Sequence, residues 1–580
     1  MTPYKLHQML DSLNLGGFQS EEVQAPAALP WLEDSWSQPK VFFKGMLADV
    51  QKTYGVSLKS VAFAHYDFYY DIFLSRSNPE QPAFVSYDVN GRRHPVSYDE
   101  LKQLVDERAD DWGGRGMAQG SCICLVYPFG LDFTVGVLAA LKLGMVVSFA
   151  SPGRPYLLKK QLTALAPDYI VTSSAYAALV GEHRDKLVDA QPKVKDAGKP
   201  DQRPRVYQSG ETVARLFDFS LETPLDPVDI PCDTLYLNAF RDGSIALNLS
   251  PKDVFSAPGW SASLTQPFML LSVLLAGATY LDLKPGLCAK VPAILDDVTP
   301  TVLGVNQGFR NLLAKQSGSN ESGDVFSQCR FWFRTPADDW DKGAWQAFIN
   351  QKGLTKRYTG AIKWHPQAGG ILAFSRRRQG LIMETLIPSA GMTWQVMPLP
   401  EGGGLPSPDF GRMAVAVGDE ERVTPYLFVK SGVEWLCPSS YVNQKQERFY
   451  ASELVQAYLK DIHFNRPFII VPVNRPASVR TTFDLVIFAG ARQGIDKAGL
   501  TKKLSDRIIR HLGKEYCPDR IVFLPVIPRL ASDGTIDTQW CMKAYATSRM
   551  NKTSTHPVFR ELSRLKEMML IQQKLSISTT

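Results

Sequence analysis

Short apolar runs and amphipathic helical segments alternate in the first third of the chain. Cys122–Tyr127 is a continuous apolar run with the length of a buried strand, whereas Phe133–Leu143 carries small and apolar residues at helical spacing. Two further runs predict strands at Val146–Phe149 and Tyr169–Thr172, with a helix at Leu157–Leu165 between them. Because strands that alternate with helices are joined by crossover connections, this order predicts a parallel sheet.

The same alternation returns near the C-terminus. It predicts two helices and three strands, at Ser452–Leu459, Phe468–Val473, Leu485–Phe488, Leu500–Leu512 and Ile521–Leu524. A segment of this size with its own alternation is typical of a separate, small α+β domain.

Length and pattern together predict the domain organisation. A chain of 580 residues is too long for one ordinary hydrophobic core. We therefore expect an α/β fold with a large multi-layer body of mostly parallel sheets, residues 56–430, and a small α+β C-terminal domain, residues 431–548. An N-terminal extension, residues 1–55, precedes the body. A terminal helix lies in residues 549–580, where 559–575 has amphipathic spacing.

Composition narrows the classes of function. The chain is 44% hydrophobic and 21% charged, which is typical of a soluble globular protein, and its net charge of +6 is too weak to indicate nucleic-acid binding. The longest apolar stretch, near Phe268 to Ala278, is too short to span a bilayer. The eight cysteines form no C-x-x-C pair, so we expect no cysteine metal site and a reducing, cytoplasmic location.

The segment Pro528–Asp537 resembles the end of a known family. It reads P-R-L-A-S-D-G-T-I-D, and the corresponding end of the AMP-forming acyl- and aryl-acid ligases reads roughly P-x-T-x-x-G-K-I-x-R. These adenylate-forming enzymes include the acyl-CoA synthetases and the adenylation domains. The resemblance implies that the lysine binds the acid carboxylate and the nucleotide during adenylation. Thr535 stands in its place, and a hydroxyl cannot supply a positive charge.

An ordered series in the body resembles the same family. Its members are Ser97–Leu101, Gly120–Ile123, Ala139–Val146 and Leu165–Thr172, in the family's order and spacing. Each piece alone is common in proteins, but the whole resemblance covers roughly residues 60–545. It implies the fold of the adenylate-forming superfamily.

The phosphate loop that the resemblance implies is a run of Ser, Thr and Gly followed by Pro-Lys, whose backbone N–H groups bind ATP phosphates. Between Leu235 and Asp253 only Gly243 and Ser244 resemble it. Asp242 beside them would repel a phosphate. The loop is therefore expected to be replaced, with Gly243 and Ser244 as its remnants.

The resemblance also implies a Y-G-x-T-E motif whose glutamate binds Mg²⁺. Aligned on Gly360, Ile362 takes the threonine place and Lys363 the glutamate place; aligned on Tyr358, the same places fall on Ala361 and Ile362. Neither a cation nor an alkyl group can be an oxygen ligand for a hard divalent metal. We expect no metal site in either register.

A third motif, T-G-D, supplies a ribose-binding aspartate in the family. The nearest match, Ser431-Gly432-Val433, puts Val433 in its place. Glu434 is a possible substitute, although a solvated carboxylate is the commoner role for such a residue.

Three aromatic residues, Trp260, Phe268 and Trp364, fall where the resemblance implies an acyl pocket, although core packing also places aromatics there.

His365 follows Trp364 and is either a catalytic base or a hydrogen-bonded loop residue. The basic run of residues 376–378 is either a solvated turn or a contact for an acidic partner or a CoA phosphate.

These features favour a degenerate acyl-CoA synthetase or AMP-ligase-like protein. It would no longer form acyl-adenylates by the family mechanism and would act as a binding or scaffolding component of an acyl or biosynthetic pathway. We then expect no cofactor, an acyl or aryl small molecule as ligand, and a pathway or carrier protein as partner. One alternative is a divergent but active AMP-forming acid ligase that uses ATP, Mg²⁺ and CoA. Another is an enzyme that kept only acyl transfer.

Overall fold

The computed structural model describes much of the chain between residues 28 and 546. The described ranges are 28–60, 64–188, 203–217, 227–259, 266–315, 325–335, 342–365, 368–377, 385–398, 410–417, 420–431, 434–436, 454–464, 466–473, 482–489, 496–513, 516–526, 528–531 and 534–546. The chain divides into two compact units. The first comprises Met1–Pro152, Leu158–Asp218 and Thr223–Ser439, and the second comprises Gly153–Leu157, Phe219–Glu222 and Ser440–Thr580.

The first unit contains the parallel sheet that the early apolar runs predict. Its five strands follow the order β6-β4-β5-β8-β9, and all neighbours are parallel except β8 and β9. The strands are β4 (Cys122–Val126), β5 (Val146–Phe149), β6 (Tyr169–Thr172), β8 (Thr212–Phe217) and β9 (Pro227–Pro231). The predicted strands of the early region are confirmed. A two-stranded sheet pairs β1 (His65–Tyr66) with β7 (Tyr207–Gln208).

A larger sheet of 13 strands forms the centre of the first unit. Its order is β17-β18-β19-β20-β16-β15-β14-β13-β12-β10-β11-β2-β3. The six strands from β14 to β2 in this order run parallel to their neighbours, and we call them the parallel block. They are β2 (Pro82–Tyr87), β10 (Val254–Ser256), β11 (Thr279–Leu281), β12 (Val302–Val305), β13 (Phe331–Arg334) and β14 (Tyr358–His365).

Antiparallel strands flank the parallel block on both sides. On one side lies β3 (Arg93–Ser97). On the other lie β15 (Gly370–Arg377), β16 (Thr385–Pro388), β17 (Trp394–Pro398), β18 (Phe410–Val417), β19 (Glu420–Ser431) and β20 (Glu434–Leu436).

The parallel block is buried on both faces. On β13, Phe331 and Phe333 pack in the main hydrophobic cluster, whereas Trp332 between them packs in a second cluster on the opposite face. Successive side chains of a strand point to opposite faces, so a continuous apolar run requires cover on both sides. Helices provide that cover.

The helices of the first unit follow the predicted alternation. They are α1 (Ala28–Ser37), α2 (Pro39–Tyr54), α3 (Tyr98–Gly113), α4 (Leu131–Leu143), α5 (Pro155–Leu165), α6 (Cys232–Arg241), α7 (Phe268–Ala276), α8 (Pro285–Lys290), α9 (Ile294–Asp297), α10 (Gln307–Lys315) and α11 (Lys342–Gln351). One turn of π-helix spans Tyr70–Leu74, and 3-10 turns span Ala177–Lys186 and Leu354–Lys356. Ser97 caps α3 by accepting a hydrogen bond from the Glu100 N–H, while the Glu100 carboxylate accepts one from the Ser97 N–H.

Within the predicted N-terminal extension, α1 and α2 pack on the body. Phe43, Leu47 and Val50 on one side of α2 lie in the main hydrophobic cluster. The Trp36 indole N–H in α1 donates to the Ser389 carbonyl at 3.1 Å. These contacts make residues 28–54 part of the first unit's core.

The second unit is built around a three-stranded sheet. The strands β21 (Phe468–Val473), β22 (Thr482–Phe488) and β23 (Arg520–Leu524) pair in that order, antiparallel and then parallel. Its helices are α12 (residues 454–461), α13 (Lys497–His511) and α14 (Thr538–Ala546). The α+β character predicted for this region is confirmed, and the helix predicted at 559–575 lies outside the described residues.

A buried carboxylate joins the strands of the second unit to α14. Asp484 on β22 accepts hydrogen bonds from Arg520 on β23 at 2.7 Å and from the Tyr545 hydroxyl on α14 at 2.7 Å. Asp484 is fully buried, so these donors replace the water that the carboxylate loses on folding.

Candidate functional site

The carboxyl ends of the parallel block share one edge of the large sheet. Ligands of open α/β sheets bind outside this edge, because helix starts and strand ends expose main-chain groups there. In the described structure, four buried polar side chains lie at this edge on the adjacent strands β13 and β14: Arg334, Thr335, Lys363 and His365. This group is the candidate functional site.

Strand β14 positions the two basic residues of the site. Ile362 and Trp364 point into the main hydrophobic cluster, so Lys363 and His365 occupy the other face of the strand. β14 extends past the last paired residue of β13, since Arg334 lies opposite Ala361. Lys363 is only 4% exposed. Its side-chain amino group therefore lies inside the sheet edge, where electrostatic interactions are stronger than in water.

Strand β13 contributes the neighbouring groups. Arg334 is its last residue, and the Thr335 hydroxyl that follows is buried without a hydrogen-bond partner in the described part of the chain. No group of three or more His, Cys, Asp or Glu residues that could hold a metal ion occurs among the described residues. The donor set of the site consists of cations and a hydroxyl, which suits an anion and does not suit Mg²⁺.

A second polar residue, Asp282, lies at the same edge of the sheet. It directly follows β11, which is four strands from β14 and thus about 19 Å away. Burial raises the pKa of the Asp282 carboxyl to about 6 although Lys284 acts in the opposite direction. The Lys284 ammonium lies 3.6 Å from Oδ2, an oxygen with no hydrogen bond in the described structure. Perturbed carboxyls of this kind are enriched at functional sites.

Helix α6 contains the other group of charges near the site. It begins directly after β9, without a loop between Pro231 and Cys232, and continues into a π-helical turn at Asp242–Ala246. Arg241 Nη2 donates to Asp242 Oδ1 at 2.6 Å and to the Ile371 carbonyl at 2.9 Å. The Ile371 N–H donates to Asp242 Oδ2 at 2.8 Å. This ion pair joins α6 to the start of β15.

Both members of the pair are buried. Arg241 is 2% exposed and Asp242 is fully buried, and burial raises the pKa of the Asp242 carboxyl to about 7 despite the hydrogen bonds that favour its ionised form. The Asp242 carboxylate thus faces Arg241 and a main-chain N–H. It is a structural charge and does not face an open loop.

Comparison with solved structures identifies this architecture. Acetoacetyl-CoA synthetase from Streptomyces lividans is similar over 98% of both chains, with a TM-score of 0.60 and 12% sequence identity. An acyl-CoA synthetase from Brucella canis is similar over 89% of this chain and 99% of its own, with a TM-score of 0.54 and 13% identity. Apo MatB from Rhodopseudomonas palustris is similar over 83% of this chain and 99% of its own, with a TM-score of 0.51 and 15% identity.

The fold is that of the acyl-CoA synthetases. No family model and no curated protein matches the chain by sequence, and at 12–15% identity the structural likeness concerns the fold alone. The fold implied by the motif resemblance is confirmed. None of the described helices is both long and apolar enough to cross a membrane.

Within this acyl-CoA synthetase fold, the remnants proposed for a phosphate loop lie in a helix. Gly243 and Ser244 are buried in the π-helical turn after α6. A methyl group on Gly243 would lie 2.4 Å from the Ser272 carbonyl oxygen of α7. Helical N–H groups bond to carbonyls of the preceding turn, so they cannot also bind phosphates. The position of Gly243 is explained by the close packing of two helices, and the cofactor-binding role expected of Gly243 and Ser244 stays a prediction.

The predicted metal motif lies on β14. Its Gly360 is required by packing, because an added methyl group would lie 2.5 Å from the Ser375 carbonyl oxygen and 2.8 Å from the Phe331 ring. The two alternative registers place either Lys363 or Ile362 in the glutamate position, and these residues lie on opposite faces of the strand. The cofactor-binding role expected of Gly360 stays a prediction.

The predicted lysine position lies in the second unit. Thr535 is exposed on a hairpin, where its carbonyl accepts a hydrogen bond from the Ala531 N–H at 2.7 Å and Leu530 pairs with Ile536. Gly534 before it adopts a φ of +81°, which glycine allows at no steric cost. A longer side chain at position 535 would therefore meet no packing barrier within the hairpin.

Two of the three aromatics predicted for an acyl pocket meet in the structure. Phe268 and Trp364 make an edge-to-face contact with ring centroids 6.2 Å apart, and both belong to the main hydrophobic cluster. Trp260 and Val433 lie outside the described residues, as do the side chains of Glu434 and of residues 376–378. The pair is core packing that borders β14, and its role in a pocket stays a prediction.

Sequence reasoning missed Arg334, Thr335 and Asp282 as site residues. Each stands directly at the end of an apolar strand run, F-W-F-R-T and T-Y-L-D. A polar residue that closes a buried parallel strand lies at the ligand-binding edge, and this signal was available in the sequence.

Replacing Asp282 by asparagine is expected to change stability in a pH-dependent way. A carboxyl whose pKa is raised on folding stabilises the folded state fully below the unfolded pKa, near 4, and this contribution is lost as the pH rises through 6. We therefore compare the change in the free energy of unfolding that Asp282→Asn causes at two pH values. This change should be more favourable to the variant at pH 8 than at pH 4, by on the order of 2–3 kcal/mol. Urea unfolding across this range measures the difference.

The matched control is Asp296→Asn, because Asp296 is an exposed carboxylate on α9. It should show the same small effect at both pH values. If the free energies of unfolding of wild type and Asp282→Asn changed in parallel with pH, Asp282 would not be a buried carboxyl with a raised pKa.

Proposed function

We propose that this chain is an acyl-CoA-synthetase-like protein that does not form acyl-adenylates and acts as a binding or scaffolding component of an acyl or biosynthetic pathway. Its ligand would be an acyl or aryl small molecule, its partner a pathway or carrier protein, and its location the cytoplasm. Seven cysteines in the described residues are free thiols, which supports a reducing compartment.

The observation that carries the proposal is the chemistry of β14. Lys363 or Ile362 occupies the place of the metal-binding glutamate, and no Asp or Glu occurs between Asp341 and Glu384. A cationic side chain in this place would repel Mg²⁺ and cannot coordinate it, and an alkyl side chain offers no oxygen ligand. Without a metal to neutralise the phosphates, the family reaction lacks its main electrostatic stabilisation.

The surroundings of Gly243 and Asp242 support the same conclusion. Helix α6 starts where β9 ends, so this part of the chain has no glycine-rich loop before a helix to bind phosphates. Its charges are engaged in the Arg241–Asp242 ion pair. The segment holds α6, α7 and β15 together, which is a structural task.

Binding of an acyl group needs neither of these features. An acyl pocket is an apolar cavity, and burial contributes about 0.8 kcal/mol for each CH₂ group. Phe268 and Trp364, which the motif resemblance assigns to such a pocket, contact each other in the apolar core. A protein of this fold could therefore keep its affinity for an acyl ligand after losing the reaction.

One observation favours the alternative of an active ligase with a rearranged site. Arg334 and Lys363 place two buried positive charges at the carboxyl edge, and cationic side chains can stabilise phosphate oxygens in place of part of a metal's charge. Such an enzyme would form acyl-adenylates with a weak dependence on Mg²⁺.

Carboxylate-dependent ATP–pyrophosphate exchange tests the proposal. We expect no exchange by the wild-type protein with a panel of short, medium and aromatic acids, while an active acyl-CoA synthetase run in parallel gives the positive signal. Thr535→Lys, at an exposed position, and the double variant Thr535→Lys/Lys363→Glu should also show no exchange. Exchange by wild type would support the active ligase, and recovery in either variant would show that only point changes removed the activity.

A further inference from the structure

A cleft of about 360 Å³ lies along β2, β11 and β10, at least two strands away from the candidate site on β13 and β14. The half-buried side chains of Pro82, Pro251 and Val254 form its apolar floor. Val85 and Leu281 also line the cleft but are buried. Val298, before β12, closes one side. The volume falls in the range of small-molecule sites, and the floor is apolar, as such sites usually are.

Two positive charges stand at the two ends of this cleft. Arg93 on β3 pairs with Tyr87 at the end of β2, whereas Lys252 precedes the first residue of β10 by two positions. Val254 pairs with Thr279, and the next residue of β11, Tyr280, pairs with Phe84 of β2. Tyr87, the partner of Arg93, lies three residues beyond Phe84. The main chains at the Lys252 end and the Arg93 end of the cleft are thus separated by at least four strand residues, or about 13 Å.

Both cations are available to a ligand. Arg93 and Lys252 are exposed, line the cleft, and make no ion pair or hydrogen bond with the rest of the described chain. Free cations at a surface are usually only solvated. Here the two cations stand at the two ends of one cleft, so a ligand that contacts both must have a matching length as well as the opposite charge.

One carboxylate also lines the cleft. Asp297 at the end of α9 accepts a hydrogen bond from the Tyr87 hydroxyl at 2.8 Å, which fixes it at the Arg93 end. Its charge opposes an anion there. The net charge of the lining remains positive, since Arg93 and Lys252 outnumber it.

We propose that this cleft binds a small organic dianion, an apolar body with an acidic group at each end, at a place separate from the candidate site on β13 and β14. The apolar body lies over Pro82, Pro251 and Val254, one acidic group pairs with Arg93 and the other with Lys252. Because β10, β11 and β2 are three to five strands away from β14, occupation of the cleft does not compete with a ligand at Lys363.

Straight-chain dicarboxylates of increasing length, from four to nine carbons, are the probes. Isothermal titration calorimetry on the full chain compares each with the monocarboxylate and with the neutral diamide of the same length. We expect the dicarboxylate to bind more tightly than either, with affinity rising with length until the chain spans the cleft. Dicarboxylates that bind no better than monocarboxylates at every length would overturn the proposal.

Single substitutions distinguish dicarboxylate binding in this cleft from binding to other basic parts of the surface. Arg93→Gln and Lys252→Gln should each weaken dicarboxylate binding by about two- to fivefold, as expected for exposed ion pairs. Asp297→Asn should strengthen it, because the amide oxygen still accepts from Tyr87 while the repelling charge is gone. Arg92→Gln, at an exposed neighbour that does not line the cleft, is the matched control and should have no effect. Equal effects of Arg92→Gln and Arg93→Gln would assign the binding to general surface charge.

Discussion

Replacing Arg241 by alanine is expected to lower the free energy of unfolding by about 3–5 kcal/mol. The substitution leaves the Asp242 carboxylate fully buried with the Ile371 N–H as its main remaining donor. It also removes the bonds from the guanidinium to the Gly369 and Ile371 carbonyls, which hold the start of β15 against α6. Chemical denaturation at neutral pH measures the loss.

Arg215→Ala is the matched control for this prediction. Arg215 also forms a two-point ion pair with a carboxylate, that of Asp229, but these side chains are 33% and 47% exposed. Exposed pairs contribute about 0–1 kcal/mol, so the control should have a small effect. Losses of similar size in the two variants would contradict the view that burial of the Arg241–Asp242 pair decides its importance.

Gly243→Ala is the second substitution with a large expected effect, a loss of about 1–3 kcal/mol in the free energy of unfolding. The added methyl group would meet the main-chain carbonyl of Ser272 at 2.4 Å, and main chain cannot move aside as a flexible side chain can. The two helices α6 and α7 would have to separate. Thermal and chemical denaturation both detect this loss.

Gly45→Ala supplies a control of opposite sign. Gly45 lies inside α2, and an added methyl group there has no atom within 4 Å. Alanine loses less backbone entropy than glycine in a helix, so this variant should gain about 0.5–1 kcal/mol. If Gly243→Ala were neutral, the packing role of Gly243 would be refuted.

Much of the fold could be predicted from the sequence because its strands are buried on both faces. Val146–Phe149, Tyr169–Thr172 and Phe468–Val473 have the same bounds in the structure as in the apolar pattern. A strand covered on both sides needs an unbroken apolar run, and such a run is visible locally.

The candidate site was harder to predict because it depends on contacts between distant segments. Asp242 was expected to repel a phosphate, but Arg241 beside it and Ile371, far along the chain, neutralise and hold it inside the protein. Gly243 and Ser244 resemble a loop in composition. The spacing of Leu235, Tyr236, Ala239 and Phe240 before them, all buried on α6, is helical and would have predicted the observed structure.

Calorimetric titration of the full-length protein with ATP, with and without Mg²⁺, tests directly whether the proposed loss of nucleotide binding is real. Buried Lys363 and Arg334 lie at the carboxyl edge of the sheet, and α6 begins directly after β9 without a loop between them. We therefore expect no saturable, Mg²⁺-dependent heat at millimolar ATP. A saturable ATP site that requires Mg²⁺ and disappears on addition of EDTA would contradict the proposed function and favour the alternative of an active ligase with a rearranged site.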